Sequence, residues 1–425
     1  MMVFLSLILL IGLLLIGMPI GMVLLVTGSI GMITTLGTES LVGFLSVTAY
    51  RSVSNYTLVS IPLFILMAHF ISKSKVADDF FDCILKWIGH LPGGTGIATV
   101  FGSAGFGTLS GSSLAATSVM SQIAVPKMVQ SNYSPSFSSG LVASSTGTLA
   151  VMIPPSIPLI LYGIQTETSI GQLLVAGILP GILLALLLCL TVFIVGIKQN
   201  SRTEKFSYKE RFKSLIKVIP TVLLVAFVIS VIYFGIATPS ESAAFGAFGA
   251  LILGLVYRKL NMKSIMDCLI DTVKQTSMIF IIVVGSYIFS YYITMTRIGV
   301  DILTAIKDAN LSPYMVLLFV ILVYLALGMF MDLFASLLLT LPIVFPLITG
   351  LGFDPLWLGV FIVLLLEIGL VTPPVGINLF VTSQQSGVPV EKVFYGSIPF
   401  IFVLLLTIVL LIVFPQIVTF LPYSS

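Results

Sequence analysis

The sequence predicts an all-α polytopic membrane protein built from two related halves, each with a re-entrant helical hairpin and a broken helix. Three observations lead to this prediction. The chain is 58% hydrophobic and only 8% charged over 425 residues, whereas soluble domains carry roughly 25% charged residues. Adjacent prolines occur twice inside apolar segments, at Pro154-Pro155 and Pro373-Pro374. Other motifs recur along the chain at nearly the same separation as the two proline pairs.

Apolar segments long enough to cross a bilayer recur from one end of the chain to the other. One span needs about 20 residues, so roughly ten to twelve spans fit into the chain. We therefore expect a multi-pass protein embedded in a lipid bilayer, with no soluble domain of any size.

Positive charge is concentrated between the two halves, in the predicted linker 198–217. Its basic residues are Lys198, Arg202, Lys205, Lys209, Arg211, Lys213 and Lys217. The positive-inside rule places this linker in the cytoplasm. A short basic loop between spans is the usual orientation signal, so we expect no nucleic-acid partner. The few scattered cysteines and histidines predict neither a disulfide framework nor a histidine metal site.

The two halves are related by a nearly constant offset. The proline pairs are 373 − 154 = 219 residues apart, and the Gly177 to Pro180 motif recurs at Gly396 to Pro399 with the same offset. We predict a first repeat at 1–197 and a second repeat at 218–425. If each repeat crosses the membrane an odd number of times, the repeats are inverted, as in many secondary transporters.

Each repeat contains two segments that do not resemble ordinary spans. Residues of about 93–130 are too small and polar to face lipid, so we predict a re-entrant hairpin with a buried tip. Its counterpart is predicted at about 313–349. The proline pairs break helices at about 136–165 and 355–385, because proline lacks an amide donor and clashes with the preceding turn. Matched breaks in two halves indicate the binding site of a secondary transporter.

The hairpin tip and the two breaks supply candidate ligands for a cation. Four hydroxyl residues lie among residues 108–113, and hydroxyl and carbonyl oxygens suit Na⁺. Packing of small residues between helices is the alternative explanation for this composition. Polar or flexible residues flank both breaks: Thr146, Gly147, Thr148 and Ser156 in the first repeat, and Gly369, Thr372 and Asn378 in the second. The N-termini of the half-helices favour an anionic substrate.

Three acidic residues and one histidine lie in apolar surroundings. Asp332 is the strongest functional candidate because it belongs to the second hairpin, and a membrane-embedded acid is costly unless it has a function. Glu241 could either cap the helix that begins after Pro239 or have a function, and the role of Glu367 stays open. His69 is interpreted as a structural polar residue rather than a proton relay. The sequence contains no GxxxxGK[ST] phosphate loop, so we expect ion gradients to drive transport.

Five segments in order resemble the large membrane subunit of TRAP (tripartite ATP-independent periplasmic) transporters. They are FGTLSGSSLAA, GTLAVMIPPSIPLILYG, ATPSESAAFGA, GMFMDLFASLLLTLPI and GLVTPPVGINLFV. The resemblance implies two inverted repeats, an elevator mechanism and sodium-driven import across the inner membrane of a bacterium. It also implies three partners: a small four-helix membrane subunit, which we expect as a separate chain, a periplasmic substrate-binding protein and an organic acid such as a C4-dicarboxylate or sialic acid.

The resemblance also assigns site residues. One sodium site is expected from Ser110, Gly111, Ser112 and Ser113 with Gly328, Gly369 and Thr372. A second is expected from Thr146, Gly147 and Thr148 with Asp332. Candidate substrate ligands are Pro154, Ser156, Pro373 and Asn378. Sodium is the only metal expected, and no organic cofactor is expected.

One position departs from the family pattern. Ala150 stands where the family often has glycine, and its repeat partner at offset 219 is Gly369. We therefore expect the better-formed sodium site at Gly369 and Thr372. The resemblance also places the chain in the ion-transporter superfamily. Two alternatives to the TRAP hypothesis remain: a stand-alone secondary carrier of that superfamily, such as a dicarboxylate/sodium symporter or an ion exchanger, and a membrane scaffold without transport activity.

Overall fold

The computed structural model describes residues 2–51, 54–74, 76–199, 201 and 205–424, and these residues form helices without strands. The helices are α1 (Met2–Leu15), α2 (Ile20–Leu36), α3 (Thr38–Arg51), α4 (Ser60–Lys73), α5 (Val76–Ile88), α6 (Gly94–Ser110), α7 (Ser113–Gln130), α8 (Pro135–Met152), α9 (Ile157–Thr166), α10 (Ile170–Ala176), α11 (Ile178–Gln199), α12 (Tyr208–Tyr233), α13 (Pro239–Val256), α14 (Met262–Met295), α15 (Ile298–Asp308), α16 (Pro313–Phe330), α17 (Leu333–Gly350), α18 (Pro355–Leu370), α19 (Ile377–Ser386), α20 (Val390–Val413) and α21 (Gln416–Ser424). A 3₁₀ turn, Tyr56–Val59, precedes α4.

Within the described residues, 8 helices are long and apolar enough to span a membrane, or 9 if the bent pair α8–α9 counts as one span. This is fewer than the ten to twelve spans that the sequence predicts. The difference arises because several apolar segments, such as α2 and α18, form helices shorter than a full span.

The helices pack into two blocks. The outer block consists of α1, α2, α4, α12, α13 and α14, in which α14 packs against α2 and α4, and α13 packs against α4 and α12. The inner block consists of α6–α9 and α16–α20, in which α8 and α18 contact most of the other members. The blocks meet where α4 contacts α6 and α14 contacts α17. Each block contains helices from both halves of the sequence.

Two helices form the centre of the inner block, and each is buried on all sides. In α8, the residues from Phe137 to Met152 are all buried, and so are those from Leu356 to Leu370 in α18. A helix that is surrounded by protein needs no polar face. Their sequences differ: α8 is rich in serine, glycine and alanine, whereas α18 consists mainly of large apolar residues.

The segments predicted as hairpins and broken helices correspond to helix pairs. The 93–130 segment contains α6 and α7, and the 313–349 segment contains α16 and most of α17. The first proline pair lies between α8 and α9, which meet at 45°, and the second lies between α18 and α19. The peptide bond within each proline pair is cis. The repeat boundaries and the inversion of the repeats stay predictions.

A short amphipathic helix, α5, connects the two blocks. It packs against α6 on one side and α12 on the other. Asp82 pairs with Lys127 of α7, and Asp79 pairs with Lys217 of α12 at 3.7 Å. Of the predicted basic linker, residues 200 and 202–204, with Arg202 among them, lie outside the described residues.

Candidate functional site

A cavity of about 520 Å³ lies between the two blocks. The outer block contributes His69 from α4 and Asp271, Lys274, Gln275 and Met278 from α14. The inner block contributes Gly111, Ser112, Ser113, Leu114, Ala115, Val151, Pro158, Asp332, Leu333, Phe334 and Leu370. Both hairpin tips therefore reach one cavity, as expected for a ligand site at the meeting point of two structural units.

The first tip turns at Gly111, where α6 ends. Gly111 has φ +57°, a left-handed conformation that favours glycine, and its N–H donates to the Gly107 carbonyl at 2.8 Å. Ser112 then caps α7 by accepting a hydrogen bond from the Ala115 N–H at 3.5 Å. A Cβ at position 111 would lie 3.3 Å from the Pro155 carbonyl oxygen, so the tip lies against the break in the first broken helix.

The second tip is capped by a carboxylate. Asp332 Oδ1 accepts hydrogen bonds from the N–H groups of Phe334 at 3.0 Å and Ala335 at 3.1 Å. The carboxylate thus satisfies two free amides at the positive end of α17. Asp332 also lines the cavity, which gives its charge access to a ligand there.

Close backbone packing holds each hairpin against its broken helix. A Cβ at position 328 would lie 2.8 Å from Gly369 Cα, so α16 and α18 meet through two glycines. In the first repeat, a Cβ at position 107 would lie 2.6 Å from Ala150 Cα and 2.9 Å from Ala150 Cβ. The methyl group of Ala150 is accommodated because the facing residue, Gly107, has no side chain.

A buried polar cluster joins the first tip to the second broken helix. The Ser113 hydroxyl donates to Glu367 Oε2 at 3.0 Å, and Asn378 Nδ2 donates to Ser113 Oγ at 3.0 Å. Glu367 and Asn378 are fully buried. Gly147 of α8 completes the cluster, because a Cβ there would lie 2.5 Å from Asn378 Nδ2 and 2.9 Å from Glu367 Oε2.

Several predicted site residues make local hydrogen bonds beside this cluster. Thr146 Oγ1 bonds Ser103 Oγ at 2.8 Å, and Thr148 Oγ1 donates to the Ser144 carbonyl at 2.8 Å. Ser110 Oγ donates to the Ser112 carbonyl at 3.3 Å.

At the breaks, Ser156 caps α9 by accepting a bond from Leu159 N–H at 3.4 Å. Thr372 Oγ1 donates to the Ile368 carbonyl at 2.5 Å. Pro154 is buried and Pro373 is half-buried.

The contacts between the predicted residues differ from the two sodium sites that the resemblance implies. Gly328 contacts Gly369, and Gly147 and Asn378 both lie against Ser113. The hydrogen bonds of Asp332, by contrast, go to its own helix rather than to Thr146 or Thr148.

Sequence reasoning missed the contribution of α14 to the cavity. Asp271, Lys274 and Gln275 lie on one stretch of a helix whose later residues are apolar. Charged and amide side chains directly before the apolar part of a long helix are the signal that could have identified them. His69, interpreted as structural, also lines the cavity. Glu241 is a helix cap: its carboxylate accepts bonds from Thr238 N and Oγ1, both at 2.8 Å.

The helices form a polytopic membrane fold with a cavity between two blocks, the arrangement expected of a membrane transporter. Residues 7–417 match the family described as the tripartite ATP-independent periplasmic transporter, DctM component. The chain therefore belongs to the large permease family of TRAP transporters, and it is a multi-pass protein of the inner membrane.

Curated relatives support this membership. The chain is 36% identical over 380 residues to the C4-dicarboxylate TRAP transporter large permease protein of Pseudomonas aeruginosa, covering 89% of each chain. It is 32% identical over 416 residues to the sialic acid TRAP large permease of Vibrio cholerae, covering 97% of this chain and 96% of the relative. It is 33% identical over 413 residues to the ectoine TRAP large permease of Halomonas elongata, again covering 97% and 96%.

Solved structures of other transporters share the fold. The YdaH transporter of Alcanivorax borkumensis superposes with a TM-score of 0.67 at 15% identity, covering 89% of this chain and 90% of that one. MtrF of Neisseria gonorrhoeae, described among antimetabolite efflux pumps, gives a TM-score of 0.59 at 14% identity, covering 89% and 85%. At this level of identity the likeness concerns the fold alone.

Proposed function

We propose that this permease imports an organic acid, of the C4-dicarboxylate or sialic acid type, by coupling it to sodium and moving the inner block against the outer block as an elevator. The observation that carries the proposal is that both hairpin tips project into one cavity between the two blocks. A substrate there would touch both blocks, and a displacement of one block would change its access to the two sides of the membrane.

Sodium coupling is supported by the chemistry at the tips and breaks. Hydroxyls and carbonyls at Ser110, Gly111 and Ser112 lie at the first tip, and the helix ends beside Gly369 and Thr372 leave carbonyls without helical partners. Such hard oxygen donors suit a monovalent cation. Two sodium ions moving inward would offset the charge of a monocarboxylate and add about 2.3 kcal/mol per charge for each 100 mV.

The proposal includes two protein partners. The family name describes a tripartite system, which fits a small four-helix membrane subunit and a periplasmic binding protein that delivers the substrate. Exposed apolar side chains on the outer block, such as Phe227 on α12 and Phe248 on α13, are suited to contact with lipid or with the small subunit.

The test is reconstitution into proteoliposomes with a small TRAP membrane subunit and a periplasmic binding protein from the same organism. A radiolabelled C4-dicarboxylate and a sialic acid serve as probes, with a sodium gradient and a membrane potential imposed separately. We expect uptake only with the binding protein present and only with inward sodium, with potassium as the matched control. Uptake by this chain alone would instead indicate a stand-alone carrier. Equal uptake rates with a sodium and with a potassium gradient would contradict sodium coupling.

A further inference from the structure

Lys274 is a charged residue of the cavity with no assigned partner. In the part of the chain that the structure describes, ion pairs join Lys127 to Asp82 and Lys217 to Asp79, and Lys274 takes part in neither. Its side chain is exposed and lines the cavity opposite the hairpin tips.

Lys274 lies where the polar first part of α14 meets its apolar second part. It follows Met262, the first residue of α14, by about three turns of helix, roughly 18 Å along the axis. Lys263, Asp267 and Asp271 precede it, and the apolar part of the helix follows it. The ammonium group is therefore at the edge of the apolar part of the helix and beside the cavity.

Two acids line the cavity together with Lys274. Asp332 Oδ1 accepts two backbone hydrogen bonds at the start of α17. Asp271 lies within electrostatic range of the His69 ring, which Gln275 also approaches, and it precedes Lys274 by three residues on α14. Neither acid is within ion-pair distance of Lys274, so the ammonium group is available to a ligand.

We propose that Lys274 binds a carboxylate of the substrate in this cavity, with the neighbouring Gln275 amide as a second donor. The inference rests on the proposed function in taking the substrate to be an organic acid, and it assigns the recognition of the negative charge to the outer block. Because the hairpin tips belong to the inner block, the substrate would bridge the two blocks. A change in their relative position would then separate the substrate from Lys274.

A charge-selective labelling experiment tests the anion site without knowledge of the substrate. Met278→Cys supplies a reactive thiol in the cavity of a full-length chain in which Cys83, Cys189 and Cys268 are replaced by serine. The probes are an anionic sulfonatoethyl and a cationic trimethylammonioethyl methanethiosulfonate. We expect Lys274→Gln to lower the ratio of anionic to cationic labelling rates by about tenfold, because one positive charge near the thiol is lost.

Two variants serve as controls for this ratio. Lys274→Arg keeps the charge and should keep the ratio. Lys263→Gln removes an exposed lysine of the same helix outside the cavity and should also keep it. An unchanged ratio in Lys274→Gln, or a fall of the same size in Lys263→Gln, would overturn the proposal.

Uptake kinetics supply the second test. In the reconstituted three-component system, Lys274→Gln should raise KM for the acid by about tenfold, corresponding to about 1.4 kcal/mol, with Lys274→Arg intermediate. An unaltered KM in Lys274→Gln rejects the role of Lys274 and leaves the proposed function intact. Absence of sodium-driven uptake by the unmodified protein rejects the proposed function instead, and the labelling ratio still decides whether Lys274 attracts anions.

Discussion

The two segments that contain a cis proline pair differ in chemistry at positions related by the predicted repeat offset. At the offset of 219, Gly369 and Thr372 in the second repeat correspond to Ala150 and Ile153 in the first. The second break therefore has a bare backbone and a hydroxyl where the first has two apolar side chains. The hydroxyls of the first repeat lie further upstream in α8, where Thr146 and Thr148 bond within the inner block.

The two hairpin tips also differ in chemistry. Ser112 caps α7 through one long hydrogen bond, whereas Asp332 caps α17 through two shorter ones. The first tip also extends a hydroxyl, Ser113, to Glu367 and Asn378 of the second repeat, while Leu333 follows Asp332 at the second tip. The predicted repeat therefore does not require two equivalent ion sites.

The largest effect is expected at the glycine contact of the second repeat. A Cβ in Gly369→Ala would lie 2.5 Å from Gly328 Cα and 2.8 Å from Gly328 C. Backbone atoms cannot yield, so we expect a loss of about 2–3 kcal/mol of stability. The reciprocal change in the first repeat, Ala150→Gly, should cost at most about 1 kcal/mol, through helix propensity. The melting temperatures of the two purified variants measure the loss of stability in each. Equal losses in Gly369→Ala and Ala150→Gly would contradict the expected difference between the two glycine contacts.

The second-largest effect is expected from the polar cluster in which Ser113 contacts Glu367 and Asn378. Ser113→Ala removes the hydrogen bond to Glu367 and leaves the buried carboxyl with Asn378 alone, which should cost about 1–2 kcal/mol. Ser110→Ala, the matched control at the same tip, removes a local bond to the Ser112 carbonyl and should change the melting temperature measured without sodium little. If both serines prove equally dispensable, the cluster contributes nothing to the docking of the tip.

The third prediction concerns the hydroxyl at the second break. Thr372→Leu should raise the sodium concentration needed for half-maximal uptake by about tenfold, about 1.4 kcal/mol, with membrane insertion unchanged. Thr372→Ser keeps the hydroxyl and should behave like the unmodified protein. Ile153→Leu changes the corresponding apolar position of the first repeat and should have no effect on sodium dependence. Unchanged uptake by Thr372→Leu at limiting sodium would reject this residue as a ligand.

The smallest effect is expected from the helix caps. Asp332→Ala should lower stability by about 1 kcal/mol more than Ser112→Ala, because the carboxylate caps through two bonds. Asp332→Asn preserves capping, so it should retain the melting temperature measured without sodium. If Asn at this position also retains the full stabilisation by sodium, the charge of Asp332 has no part in ion binding.

The sequence was sufficient for the large features of the fold. Composition required a membrane protein, and the proline pairs located the ends of α8 and α18, because proline cannot continue a helix that needs its amide. The Gly- and Ser-rich tip located the turn at Gly111 between α6 and α7. These are local properties, in which the residue itself determines the backbone conformation.

The composition of the cavity could not be predicted in this way. His69 and Lys274 are far apart in sequence, and only the packing of α4 against α14 brings both to the hairpin tips. Likewise, the Ala150 methyl group fits only because Gly107 faces it without a side chain, and this depends on the register of two packed helices. Single-residue patterns contain no information about which faces of distant helices meet.

The contacts of α5 have a consequence for any relative motion of the two blocks. Asp82 of this helix forms an ion pair with Lys127 of the inner block, and Asp79 forms one with Lys217 of the outer block. Ion pairs therefore link α5 to both blocks. All four side chains are between 31% and 59% exposed, and exposed ion pairs of this kind contribute only about 0–1 kcal/mol each. The two ion pairs can therefore break and form again at little cost, while the apolar packing of α5 against α6 and α12 persists. Dissolved salt, which screens exposed charges over about 8 Å at physiological strength, should weaken these two links at a distance from the residues that line the cavity.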